Sequence, residues 1–235
     1  MYREVNSRWG KCVVLEKDEY VGRSVIGYGE YGPDETEKIL ELAPSGKLCL
    51  DIGANVGCIG MALEYAGHEV ISFEPQPEIY KLLNANVKGT CYNYGLGSAE
   101  AVLQMPKVAY SDKGNFGGLG IGEKSIYGNI DVEVRTLDSF GFEDVGFIKI
   151  DVEGFEREVL MGGIQTILKS KPILYIEDDR IPLRQALREM IKSLGYTFVP
   201  HQPTLYREEN FFNLKRNIWN TNYASHNLIC TYAHD

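Results

Sequence analysis

No apolar run in the chain approaches the ~20 residues of a membrane-spanning helix, and the start, MYREVNSRWGK, has no apolar core of a secretory signal. A cytoplasmic protein without a membrane partner is expected. Basic residues are scarce: 24 Lys and Arg against 33 Asp and Glu leave a net charge of −9. The surface therefore lacks the basic footprint that binding phosphate backbones requires. No N-P-P-[YF] or D-P-P-[YF] tetrapeptide is present to grip a flipped base, so no nucleic-acid partner is expected. Five cysteines (Cys12, Cys49, Cys58, Cys91 and Cys230) are odd in number and form no C-x-x-C pair. That spacing speaks against a zinc site and a disulfide framework and for reduced thiols, several of them in the core. Internal repeats and low-complexity tracts are also missing. What remains is a chain of 235 residues, 44% hydrophobic and 24% charged, enough for one full core and read as a single domain over 1–235.

That domain is organised around LCLDIGANVG, Leu48 to Gly57. Leu48, Cys49, Leu50 and Ile52 form the short apolar run of a strand buried on both faces of a parallel sheet. The strand signal includes Asp51, and Gly53, Asn55 and Gly57 punctuate a turn. Ile59, Met61, Ala62, Leu63 and Ala66 follow at helical spacing, with Gly67 placed to end the helix. Strand, glycine turn and helix make the first unit of a Rossmann-like fold, which holds a nucleotide at the carboxyl ends of its strands. Glu74 closes a second apolar run, Val70 to Phe73, about 20 positions after Gly53, where an acid meets ribose hydroxyls. A dinucleotide fingerprint needs glycine where Asn55 and Cys58 stand. S-adenosyl-L-methionine, with a ribose but no phosphates, fits better. Gly53 would let backbone lie against its methionine tail, and Asp51 would accept from its ammonium group. The alternative is a loop whose glycines merely permit a turn.

Around this unit the elements follow in order. Residues 1–46 form an N-terminal cap segment. Alternation in CVVLEKDEYVGRSVIGYGEYG suggests one or two short strands, with Tyr28, Gly29 and Glu30 either a lid or, more commonly for such a stretch, an edge hairpin. Pro33 and Asp34 open a helix, with Glu37 in capping-box spacing to Asp34. After Pro75 and Pro77 a helix presents Ile79, Leu82, Leu83 and Val87, and TCYNY (90–94) reads as the third strand. The turn at Gly95 to Gly97 is where such a fold places adenine, against Gly95 and Leu96. Residues 98–140 lose helical period: β-like runs flank SDKGNFGGLGIGEK, a β-rich insertion whose glycine loop is a lid or simply mobile. VGFIKID is a buried strand reaching Asp151, followed by a helix that Gly162 and Gly163 interrupt. PILYIE is the fifth strand, and Leu183, Ala186, Leu187, Met190, Ile191 and Leu194 make the clearest amphipathic helix. YTFV and NLICTY are strands six and seven; residues 201–225 between them form a substrate loop.

Three motifs now stand in order: LDIGANVG, FEP (Phe73 to Pro75) and IKIDVEGFE (Ile148 to Glu156). Together with LDSF, PILYIE, LGY and HNLIC they resemble the FkbM-type family of S-adenosylmethionine-dependent methyltransferases, over roughly residues 18 to 232. The resemblance implies an α/β class I methyltransferase fold, with a mostly parallel seven-stranded sheet whose last strand is antiparallel. It also implies O-methylation, with Asp51, Gly53, Asn55 and Gly57 at the methionine end, Glu74 on the ribose, and Pro75 in the same motif. The expected substrate is a sugar, glycan or similar hydroxylated small molecule. A non-catalytic cofactor-binding partner subunit is the second hypothesis.

Methyl transfer is an in-line displacement, so positioning supplies much of the catalysis, and a protonated hydroxyl also needs a base or a metal. Asp151 and Glu153, at the end of strand four, are candidate bases. Asp151, Glu177 and Asp178 are the alternative, a divalent-metal site similar to that of catechol O-methyltransferase; the base is the favoured reading, and no metal is assigned. Against both stands a structural role in which Lys149 and Arg157 neutralise these acids. His201, after strand six, is a third candidate base or a solvated loop residue. Tyr206, Phe211, Phe212 and Trp219 either stack on a sugar ring or hold the loop down.

Overall fold

The computed structural model describes residues 1–219 and 224–233. The chain opens with an antiparallel hairpin, Tyr2–Ser7 (β1) against Gly10–Leu15 (β2), and two helices, Val21–Tyr28 (α1) and Pro33–Leu42 (α2). The α1 helix corrects the sequence expectation of strands in this region. Its Val, Ile and Gly content suggests strand, but its buried Val21, Ser24, Val25 and Tyr28 lie at helical spacing. Gly29 ends α1 in the left-handed conformation, φ 75°, so Tyr28 to Glu30 are a helix terminus and neither lid nor hairpin. Nor does Asp34 cap α2: the Thr204 hydroxyl donates to its carboxylate at 2.6 Å, and Arg207 pairs with Glu37. Both side chains thereby tie the N-terminal segment to the 201–219 segment.

The sheet follows. Leu48–Ile52 (β3), Cys58–Tyr65 (α3), Glu69–Phe73 (β4), Pro77–Asn86 (α4) and Thr90–Tyr92 (β5) build one half. Gly95–Leu96 (β6), Ala101–Pro106 (β7) and Asn129–Arg135 (β8) form a separate three-stranded sheet, ordered β6-β8-β7. Val145–Ile150 (β9), Glu156–Gly162 (α5), Ile164–Ser170 (α6), Ile173–Glu177 (β10), Arg184–Ser193 (α7), Tyr196–His201 (β11) and Asn227–Tyr232 (β12) complete the other half. The seven-stranded order is β11-β12-β10-β9-β3-β4-β5, and within it only β12 runs antiparallel to its neighbours. This is the Rossmann-like α/β arrangement expected from the sequence.

Both faces of the sheet are covered, so neighbouring residues on one strand belong to different cores. Leu50, Ile52, Ile148, Ile150, Leu174 and Ile176 pack with Val159, Leu160, Ile167, Leu187 and Ile191 of α5, α6 and α7. Cys49, Phe147 and Tyr175 face the other way, toward Ile39 of α2 and Ile59 and Leu63 of α3. The strand order reverses between β3 and β9, which brings Gly53, Glu74, Asp151 and Glu177 to adjacent carboxyl ends. The β7–β8 loop folds back over that edge: Phe116 is buried, and the Gln76 side chain donates to its carbonyl at 3.0 Å. Among the described residues no helix is long and apolar enough to cross a membrane, and all five cysteines are free.

Candidate active site

The turn after β3 has a specific steric requirement. Gly53 has φ +78°, and a Cβ built there would lie 1.7 Å from the Asp151 carbonyl oxygen. Glycine is therefore demanded by the end of β9 itself, whatever else approaches the turn. Asn55 is also left-handed, φ 51°, and its N–H donates to Glu74 at 3.0 Å. The other oxygen of Glu74 accepts from the Gln76 N–H at 2.9 Å. One carboxylate thus holds the turns after β3 and β4 together while keeping further acceptor capacity. Burial pushes the Glu74 carboxyl up to about 7.

Above these turns lies a cavity of about 350 Å³, in the range of small-molecule sites. Of the cofactor candidates, Gly53, Asn55, Glu74, Pro75, Gly95 and Leu96 line it, and so do both carboxylate candidates, Asp151 and Glu153. Two expected cofactor residues do not. Gly57 starts α3 at φ 92° with its open side against Val87 and Leu83, so its role is packing. Asp51 lies fully buried beneath the turn, because Lys149 sits directly beside it in the β3–β9 ladder, 3.4 Å from its carboxylate. Burial still raises the Asp51 pKa despite that ammonium. The same ammonium reaches Asp151 at 3.3 Å and donates to the Gly53 carbonyl at 3.0 Å. Burial opposes its charge most strongly, but Asp151, Asp51 and Glu35 together outweigh burial and raise its pKa.

The turn after β9 is held from below by Glu156, which accepts the N–H groups of Val152 at 3.3 Å and Gly154 at 2.9 Å. It places Glu153 at φ 56°, an uncommon conformation for a side-chain-bearing residue. Oxygens of Asp151, Glu153 and Glu177 lie within 4.8 Å of one another. Burial, then Asp151, pushes the Glu153 carboxyl up to about 7 even though Arg180 pairs with it at 2.8 Å; burial and neighbouring acids also raise Glu177. Asp178, expected from the sequence in this group, instead turns to α7 and pairs with Arg188 at 2.5 Å and Arg184 at 3.6 Å. Arg157 is likewise elsewhere, 3.5 Å from Glu158. His201 is not brought to the cavity: Tyr175 holds it, hydroxyl to Nδ1, at 2.8 Å, and burial lowers its pKa.

Sequence reasoning missed Glu35. It lines the cavity from α2 and is only 8% exposed, and burial followed by Asp151 pushes its carboxyl up to about 7. Its signal was position: Glu35 stands four residues before the fully buried Ile39, on the same helix face. The aromatic residues of the 201–225 loop act as packing. Trp219 stacks on Tyr20 with ring centres 5.5 Å apart, and Tyr206 lies 5.4 Å from Tyr28. Phe211 and Phe212 crowd Gly29, while Leu205, Ala224 and Ser225 are the loop residues that reach the cavity. Positions 220–223 of this loop lie outside the described residues.

Comparison with known proteins places this geometry. Residues 51–198 match the family model of the methyltransferase FkbM domain. Among solved structures, the FkbM methyltransferase of Methylobacillus flagellatus KT matches at 16% identity and a TM-score of 0.48. That match covers 83% of this chain, which spans half the length of that protein. A TehB-like SAM-dependent methyltransferase from Corynebacterium glutamicum matches at 13% identity and a TM-score of 0.50, over 90% of this chain and 94% of that one, a likeness of fold. No curated protein matches the chain.

Proposed function

The chain belongs to the FkbM methyltransferase family, and on that footing we propose that it uses S-adenosyl-L-methionine to methylate a hydroxyl of a sugar or similar hydroxylated small molecule. The observation that carries this reading is one cavity lined both by the Glu74 turn and by Glu35, Asp151, Glu153 and Glu177. The cofactor suits the residues present. Glu74, just past the end of β4, keeps acceptor capacity for ribose hydroxyls, Gly95 and Leu96 are apolar lining for adenine, and the excess of carboxylates favours a cationic ligand. Asn55 bears a side chain in this lining, where a dinucleotide would need bare backbone against its pyrophosphate. When bound, the cofactor supplies a methyl group on a sulfonium sulfur, an electrophile with a built-in leaving group.

The protein's share is orientation and proton removal. The acceptor oxygen must be held ~3–3.5 Å from the methyl carbon, in line with the departing sulfur. Leu119, Ile121 and Leu205, from the loops that line the cavity, supply apolar walls beside that line. The hydroxyl proton leaves to a cavity carboxylate, and Glu35 and Glu153, both pushed up to about 7, are matched to neutral pH for this task. The test is transfer of label from methyl-labelled S-adenosylmethionine to a panel of sugars and glycans, beside calorimetric titration with S-adenosylhomocysteine and NADH. Labelled methyl ethers and binding of S-adenosylhomocysteine alone are expected. Binding of NADH alone would overturn the reading.

A further inference from the structure

We propose that Asp151, Glu153 and Glu177 form a binding site for one oxygen-preferring divalent cation of the Mg²⁺ or Mn²⁺ type, at the end of the cavity where the acceptor sits. The placement at the acceptor end rests on the methyltransferase reading; the cation site itself does not. Three carboxylates from two adjacent strand ends present oxygens within 4.8 Å of one another. A six-coordinate cation with oxygens at ~2.1 Å sets them ~3–4.2 Å apart, a spacing these side chains approach. Hard divalent cations prefer this donor set to one containing nitrogen or sulfur.

Two further observations point to a missing positive partner. The Oε2 atom of Glu177 is sealed from solvent and has no hydrogen-bond partner among the described residues. Glu35 is 8% exposed and lines the same cavity, yet no described residue donates a hydrogen bond or ion pair to it. Charge balance agrees. Among the described residues, the four carboxyl groups of Asp51, Asp151, Glu153 and Glu177 share two cations, Lys149 and Arg180, and Arg180 also pairs with Glu123. The nearby side-chain cations each leave one carboxylate oxygen of their partner open. Arg157 pairs with Glu158, Lys149 is held on the Gly53 carbonyl beneath the turn and reaches Asp151 only through Oδ2, and Arg180 occupies Glu153 through Oε2, which leaves Asp151 Oδ1 and Glu153 Oε1 available. With three ligands from the protein, about three of six positions stay open. Two adjacent hydroxyls of an acceptor can fill two of them, so a vicinal diol is the substrate class this site selects. Glu35, outside the three-ligand group, is then the carboxylate free to receive the acceptor proton.

The site is tested on the EDTA-treated, dialysed protein by titrating Mn²⁺ and following the paramagnetic resonance signal of the free ion. About one equivalent should bind and be displaced by Mg²⁺. Glu177→Gln and Glu153→Gln should each weaken Mn²⁺ by at least about tenfold while S-adenosylhomocysteine affinity, measured on the same samples, reports that they are folded. Mn²⁺ that stays free at millimolar concentration, or binding that neither substitution weakens, would overturn the site. S-adenosylhomocysteine binding without Mn²⁺ binding defeats this inference alone. The reverse result upholds the cation site and defeats the methyltransferase reading.

Discussion

Replacing Glu35 with glutamine removes one ionisable group from the cavity while keeping its shape. Burial and Asp151 raise this carboxyl from 4.5 to about 7, so the folded chain holds its proton more firmly than the unfolded chain does. The sign follows from linkage. Below pH 4.5 both states carry the proton and the group costs nothing. Stability is then lost as pH rises, and the loss is complete once pH passes about 7. A difference of about 2.5 units, at ~1.36 kcal/mol each, gives about 3 kcal/mol of destabilisation at pH 8 and under about 1 kcal/mol at pH 5. Glu35→Gln should therefore stabilise the ligand-free protein by about 3 kcal/mol at pH 8, and by much less at pH 5. Urea unfolding at the two pH values, with EDTA present, measures both numbers. An equal gain at pH 5 and pH 8, or none at either, would refute the argument, because it would show that Glu35 does not ionise in a buried site.

Gly53→Ala should cost at least about 2–4 kcal/mol of stability, since its methyl group would collide with the Asp151 carbonyl and the left-handed backbone disfavours any Cβ. A melting temperature within about 2 °C of the parent would show that the β9 end can yield. Glu74→Gln should lower S-adenosylhomocysteine affinity by ~1.5–3 kcal/mol, the usual worth of hydrogen bonds to a charged group. Unchanged affinity in a folded variant, read by calorimetry, would mean the ribose is held elsewhere.

The core of the fold was legible because its signals are local. Apolar runs at Leu48, Val70 and Val145, each reaching an acid at or just before a turn, are what strands with both faces buried look like. The α1 helix was hidden because Val21, Val25 and Ile26 favour strands when read one by one, and only the burial of Val21, Val25 and Tyr28 together reveals the helical face. In the site, residue type was legible and direction was not. Asp51 and Asp151 both read as cavity acids and share one side of the sheet, but Asp51 lies inside β3, level with Lys149 and beneath the turn, whereas Asp151 stands just past the end of β9, in the lining of the pocket. Glu177 and Asp178 adjoin in sequence and part in space because successive side chains along an extended chain face opposite ways, one into the cavity and the other to Arg188. Glu35 lies far from any motif and was brought to the cavity only by tertiary packing, and Arg180, just past PILYIE, gives no sign in the sequence that it will pair with Glu153.

The contact between Gly53 and the Asp151 carbonyl has an implication for anyone who would redesign this protein. Two turns with different tasks share one backbone surface, and Lys149 ties them together electrically through Asp51, Asp151 and the Gly53 carbonyl. Transplanting the β9 turn from another protein would displace the β3 turn with it, so that turn cannot be exchanged as a module. The parts that can be exchanged are the ones that reach the cavity from outside the sheet: the first turn of α2 with Glu35, the loop between β7 and β8, and the stretch around Leu205. Directed libraries confined to those three stretches would vary what enters the pocket and leave the paired turns, and the cofactor contacts proposed for them, in place.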